Sequence, residues 1–188
     1  MAAGAASRFG DCKALQPLGD TSLLGSAIAC LSHAGIVDIR IISGAWHEKI
    51  QQAHTQDATL HYCQDWQLGL GHSIAFGVEQ VDQADGILIL LADQVAVTSE
   101  DILRLQQAFD GQHSVCAHYA NRKGVPAIFA PRHWPALMAL EGDRGARQLL
   151  QQDDAIVAIN MPNAAIDIDT KEQLEGFRAQ TLRGDTHG

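Results

Sequence analysis

Apolar, β-branched runs recur along the chain at 36–43, 58–63, 86–92, 114–119, 126–130 and 155–159, and each reads as a strand. Between most of them apolar positions return at helical spacing, over 23–33, 47–53, 73–81, 101–109, 134–140, 144–151 and 172–180. Strand and helix alternating in this order predict an α/β domain with a mostly parallel sheet. The run Ile87-Leu88-Ile89-Leu90-Leu91 is apolar at every position, as a central parallel strand covered on both faces must be. Asp20 or Thr21 is placed to cap the first helix and Gly35 to close it. Thr170 and Gln173 have capping-box spacing ahead of the last helix. The expected organisation is one domain over 1–182 with 183–188 as a flexible tail.

Composition narrows the function classes. The 188 residues fit a single buried core, with 46% hydrophobic and 19% charged residues in ordinary globular balance. The four cysteines (Cys12, Cys30, Cys63, Cys116) show neither CxxC spacing nor disulfide-framework density, which suits reduced thiols in a cytoplasmic protein. No apolar run reaches the ~18 residues of a membrane span, and the N-terminus lacks a signal-peptide layout. A formal net charge of −9 excludes nucleic acid as a partner of the protein as a whole. A polyanionic small substrate would therefore need a local basic pocket.

Three segments carry candidate chemistry. In Ala2-Ala3-Gly4-Ala5-Ala6-Ser7-Arg8-Phe9-Gly10-Asp11-Cys12-Lys13 small residues let backbone N–H groups approach phosphate oxygens, and glycine tolerates a positive φ at such a turn. Arg8 can grip phosphate in a fork and Lys13 can act as a mobile point charge. The glycine spacings of Walker A and of the dinucleotide fingerprint are absent. Asp93 follows the apolar strand and so points toward the crevice at the strands' carboxyl ends, or else starts a turn. In Asp167-Ile168-Asp169 strand alternation puts two carboxylates on one face, with helix capping as the other reading. Gly69 permits close approach to a base or ribose, and Ser73 lies near a helix N-terminus that favours anions. Arg144 and Arg147 suit either an acceptor phosphate or pairing with Asp143 or Asp153. His72 is not needed as a base, because a substrate phosphate with a second pKa near ~6 is already ionised. The remaining histidines show no zinc-like spacing, and Trp66 and Trp134 read as packing anchors.

In these motifs the chain resembles the MobA-like nucleotidyltransferases, and within them the molybdenum cofactor cytidylyltransferases. The likeness runs from Ala2–Lys13 through Leu15-Gln16-Pro17-Leu18-Gly19, then Gln64 to Ser73, Leu91-Ala92-Asp93-Gln94 and Gly124-Val125-Pro126. It continues through Glu141 to Arg147 and ends at Asp167-Ile168-Asp169-Thr170. The resemblance implies a Rossmann-like three-layer domain that moves CMP from CTP to the molybdopterin cofactor with Mg²⁺. It implies catalytic roles for Arg8, Lys13 and Asp93, and a metal held by Asp93 and Asp169, with Asp167 in reserve. Nucleotide contacts are implied for Ala2, Ala3, Gly4, Ser7, Arg8, Lys13, Gly69, Ser73 and Asp93, and acceptor contacts for Gly124, Pro126, Asp143, Arg144 and Arg147. The Arg8-to-Lys13 spacing and the Ala2-Ala3-Gly4 start imply the cytidylyl branch rather than the guanylyl one. A different phosphorylated acceptor, or a non-catalytic partner in molybdoenzyme maturation, are the rival readings. Intact Arg8, Lys13, Asp93 and Asp169 favour an enzyme. Relatives place a short apolar strand just before the loop. Here Met1 stands at that point, so a gap in mid-sheet is expected, filled by residues upstream or by another segment.

Overall fold

The computed structural model describes residues 1–6, 8–53 and 57–184. A short ribbon, β1 (Pro17–Leu18) with β2 (Thr21–Ser22), leads into α1 (Leu23–His33). There follow β3 (Arg40–Ser43), α2 (His47–Ala53), β4 (Thr59–Tyr62), α3 (Leu70–Glu79), β5 (Ile87–Ile89), α4 (Ser99–Ala108) and β6 (Val115–Tyr119). The chain continues with β7 (Arg122–Phe129), α5 (Trp134–Met138), α6 (Arg147–Gln152), β8 (Val157–Asn160) and α7 (Lys171–Gly184). Among the described residues no helix is long and apolar enough to cross a membrane.

Strand β3 pairs in parallel with β4, while the larger sheet has the order β5-β7-β6-β8. In it β8 runs parallel to β6, but β7 is antiparallel to both β5 and β6. The expected mostly parallel sheet is thus mixed at one strand, and the cause is local. Tyr119 pairs with Arg122 across the two residues Ala120 and Asn121, both at positive φ (47° and 57°). A two-residue turn of that hand can only reverse the chain into a hairpin.

Alternate residues of these strands feed two packed layers. Ile89, Cys116 and Phe129 meet Ile74 and Val78 of α3, Leu137 of α5 and Leu150 of α6. Leu90, Val115 and Ile128 meet Ile102 and Leu105 of α4. Leu105, Val115, Phe129, Leu137 and Leu150 are wholly buried, each stabilising the fold by about 1.5–3 kcal/mol of apolar transfer. Helix α1 is capped one residue later than expected: the Ser22 hydroxyl, not Asp20 or Thr21, accepts the Gly25 N–H. Gly35, at φ 81°, closes it as predicted. The capping box at Thr170 and Gln173 also forms, with Gln173 N–H on the Thr170 hydroxyl and Thr170 N–H on the Gln173 side chain.

Backbone hydrogen bonds of the first residues join the two sheet fragments. Met1 donates to Leu90 O and accepts from Ala92 N–H, while Ala2 donates to Ile42 O and bridges Ser43 in parallel. Beside Met1 a cavity of about 510 Å³ lies between Arg40 and Ile42 of β3 and the strand β5. Ile74, Val78 and Phe109 line it, together with Gln106, whose buried side-chain oxygen has no partner. Burial pushes the Met1 α-amine at its edge down to about 6.

Candidate active site

Beyond Ala2 the chain leaves the sheet and folds over the carboxyl ends of β3 and β5. Ala45 N–H donates to Ala3 O, and the Trp46 indole donates to Ala5 O at 3.0 Å. Gly44 makes this possible, because a Cβ there would lie 2.4 Å from Ala3 O. Phe9 and Gly10 both donate to Ala6 O. Within the loop positive φ falls on Gly10 (73°), as glycine allows, and on Ala6 (49°). Gly4 has another use: a Cβ there would meet nothing within 4 Å, so ligand can approach its backbone. Phe9 is the loop's anchor, 2% exposed and packed with Leu23, Ile168 and Leu174. Ser7 and His54 lie outside the described residues.

Phe9 and Ile168 share one apolar cluster, and that brings three charges together. Lys13 opens a 3-10 turn, and its ammonium lies 2.6 Å from Asp93 Oδ2 and 3.4 Å from Asp169 Oδ1. Arg8 reaches Asp169 at 4.0 Å with its side chain 80% exposed, free to turn toward a ligand. Asp93 and Asp169 are aligned by the backbone, since Ile168 N–H donates to Asp93 O at 3.1 Å. Here the sequence expectation needs correcting. The segment 166–169 is not a strand, so no pleat presents Asp167 and Asp169 together; Ile168 is buried and Asp167 is exposed.

Gln94 is a residue that sequence reasoning quoted in a motif but gave no role. It is 6% exposed, and its side-chain NH₂ donates to Val125 O (2.8 Å) and Ala164 O (3.1 Å). It thereby ties the Asp93 turn to β7 and to the segment leading to Asp169. Trp46 is the other omission. Its signal was weak, a lone aromatic after Gly44, yet it braces the loop and lines the pocket. That pocket, of about 280 Å³, is bounded by Ala3, Gly4, Lys13, Trp46, Leu70 and Asp93, with Ala2 at its base.

The donor set fits a hard divalent cation. Asp93 Oδ1 is buried without a hydrogen-bond partner, a costly state for a carboxylate oxygen unless a ligand meets it. Among the described residues no three His, Cys, Asp or Glu side chains converge. Two carboxylates with phosphate and water in the other positions is the usual manner of binding magnesium.

Other expected contacts are redistributed. Ser73 is 1% exposed and its hydroxyl turns back onto Gly69 O, so it braces α3 rather than facing a ligand. Gly69 does permit a close approach, but to the Gly142–Asp143 backbone and not to a base. Pro126 is fully buried in β7 and Gly124 lies beneath the Tyr119 ring, so both are packing positions. Asp143 and Arg144 are exposed on the loop 141–146, and Arg147 is exposed at the first position of α6. Neither arginine has an ion-pair partner among the described residues; Asp153 pairs with Arg132 and His133 instead. The cysteines are unbridged, and burial raises the Cys30 and Cys116 thiols to about 11, which keeps them protonated and unreactive.

Residues 1–156 match the model of the MobA-like NTP transferase domain. The chain is 31% identical over 195 residues to purine catabolism protein PucB of Bacillus subtilis, covering 95% of this chain and 93% of that one. A crystal structure of an Rv0371c homologue from Mycobacterium sp. strain JC1 superposes with TM-score 0.85 at 27% identity, covering 97% and 94%. Rv0371c of Mycobacterium tuberculosis in complex with manganese superposes with TM-score 0.78 at 22% identity, covering 94% of each chain.

Proposed function

We propose, for a chain that belongs to the MobA-like NTP transferase family, the transfer of CMP from CTP to the terminal phosphate of the molybdopterin cofactor, with release of pyrophosphate. The observation that carries the reading is Lys13 held between Asp93 and Asp169 beneath an open glycine loop. A divalent ion, magnesium in this reading, would be held by Asp93 and Asp169 and would offset triphosphate charge. The manganese complex of the mycobacterial neighbour supports a divalent ion of this kind.

An oxygen of the acceptor phosphate attacks the α-phosphorus in line. The α–β bridging P–O bond breaks, and its electron pair leaves with pyrophosphate. Such chemistry needs positioning and charge stabilisation more than proton transfer. Backbone N–H groups of the 3–6 loop receive the phosphates, and Lys13 and Arg8 meet the charge that develops on the oxygens. The acceptor phosphate is ionised at neutral pH, so no side chain need act as its base. Arg144 and Arg147, exposed and without ion-pair partners among the described residues, are in this reading the cations that receive the acceptor phosphate. The Arg8-to-Lys13 spacing and the Ala2-Ala3-Gly4 start support cytosine over guanine, and protonated free thiols suit the cytoplasm.

Pyrophosphate release measured across the four NTPs, with magnesium and isolated molybdopterin, tests the reading. CTP should give the highest kcat/KM. A higher value with GTP would overturn the base assignment, and turnover only with another phosphorylated acceptor would overturn the pterin.

A further inference from the structure

The start of α3 is packed backbone to backbone against the loop 141–146. Gly69 has φ 109°, and a Cβ there would lie 2.4 Å from both the carbonyl carbon and oxygen of Gly142 and 2.8 Å from Asp143 N. A Cβ on Gly71 would lie 2.6 Å from Arg144 O, 2.9 Å from Glu141 O and 3.0 Å from Gly142 O. The Gly71 N–H donates to Gly142 O at 2.8 Å. Between the two glycines, Leu70 lines the pocket that holds Lys13 and Asp93. Its Cδ2 lies 3.1 Å from where a Cβ of Gly145 would stand. Neither approach leaves room for any side chain, and in each case the opposing atoms are backbone, which cannot swing aside. Anything larger than glycine at 69 or 71 must displace the loop.

That loop carries Arg144 and leads directly into Arg147, the first residue of α6; both are exposed and without ion-pair partners among the described residues. Where Arg144 stands is set by the loop backbone, and the start of α6 at Arg147 follows directly from it. We propose that Gly69 and Gly71 are positioning residues for the acceptor: they seat the 141–147 loop, and through it the two arginines, against the wall of the nucleotide pocket. This rests on the reading in which the arginines receive the acceptor's phosphate. It separates two functions within one short segment. Leu70 belongs to the nucleotide side, while the glycines flanking it act on the acceptor side. Acceptor affinity therefore depends on an interlock that no nucleotide touches.

The test compares Gly71→Ala with Gly176→Ala, a glycine of α7 with nothing within 4 Å of its Cβ position. In Gly71→Ala the KM for the phosphorylated pterin should rise about 10-fold or more, since a shift on the order of 1 Å in a positioning group is costly. The KM for CTP should stay within about two-fold, the pattern of lost acceptor binding alone. Hydrogen exchange over 141–147 should accelerate in Gly71→Ala and stay unchanged in Gly176→Ala. In the wild-type protein, acceptor should slow exchange over 141–147, while CTP alone should slow only the 2–13 loop; this arm holds even where Gly71→Ala does not fold. An unchanged acceptor KM in folded Gly71→Ala would overturn the proposal. So would a CTP KM that rises in step with it, or a 141–147 loop that responds to CTP alone. A wild-type protein that releases pyrophosphate from none of the four NTPs overturns the reaction reading instead. Exchange in ligand-free Gly71→Ala, if unchanged from wild type, then overturns the interlock as well.

Discussion

Gln94→Met removes the bracket beneath Asp93 while leaving its volume nearly intact. The substitution deletes two donated bonds, to Val125 O and Ala164 O, and one accepted from Leu91 N–H. At 6% exposure water cannot replace them readily, so two carbonyls and one N–H lose their partner in a buried setting. Each such bond is worth about 0.5–1.5 kcal/mol net, and the long 3.4 Å contact to Leu91 stands at the low end. The sum is a loss of about 2–4 kcal/mol, which for a domain of this length lowers Tm by roughly 5–15 °C. Activity should fall as well, because the next residue back is Asp93 and its carbonyl holds Ile168 beside Asp169. Urea unfolding gives the first quantity. Pyrophosphate release well below both melting temperatures gives the second, with kcat expected to drop about 10-fold or more. Gln94→Glu should be worse in stability, since it keeps an acceptor, loses both donors and buries a charge. A Gln94→Met protein within about 0.5 kcal/mol of wild type and with full kcat would refute the reasoning. Lost stability with unchanged kcat would leave Gln94 a structural residue only.

Asp93→Ala and Lys13→Ala should each reduce turnover by about 10²-fold or more while the domain still folds, as circular dichroism would verify; near-normal pyrophosphate release would remove the residue from the mechanism. In a chain that starts at Met1, the free α-amine makes stability depend on pH. Its folded pKa of about 6 lies below the 8.0 of a free α-amine, so the folded chain holds fewer protons than the unfolded one between those values. Stability should therefore rise with pH from 6 to 8, by up to about 2.7 kcal/mol, and acetylating Met1 should abolish that slope. Identical pH profiles for the free and acetylated chains would show that the amine is not buried.

Local pattern carried a great deal. The helices over 23–33 and 47–53 begin and end where their periodicity does, because which side of a helix is apolar decides how it can be buried. The Thr170–Gln173 box was legible because its partners lie within one turn. The cap of α1 was missed by one or two positions, since Asp20, Thr21 and Ser22 are all competent and the entry of the ribbon β1–β2 selects among them. The reversal of β7 was invisible because Ala120-Asn121 is not a usual turn pair; the positive φ of alanine is imposed by the strands it joins.

By itself, then, the sequence determined an α/β domain, a small-residue loop bearing Arg8 and Lys13, and a carboxylate at the end of an apolar strand. Each of these depends on residue type and near neighbours. Tertiary structure alone decided that Lys13 would lie between Asp93 and Asp169, partners 80 and 156 residues away along the chain. It also decided that Ser73 and Pro126 would be buried and that Gly69 would face Gly142. A glycine in a sequence announces that something comes close. What comes close is settled by how the layers pack, and that depends on the burial of distant side chains such as Phe9 and Ile168 in one cluster.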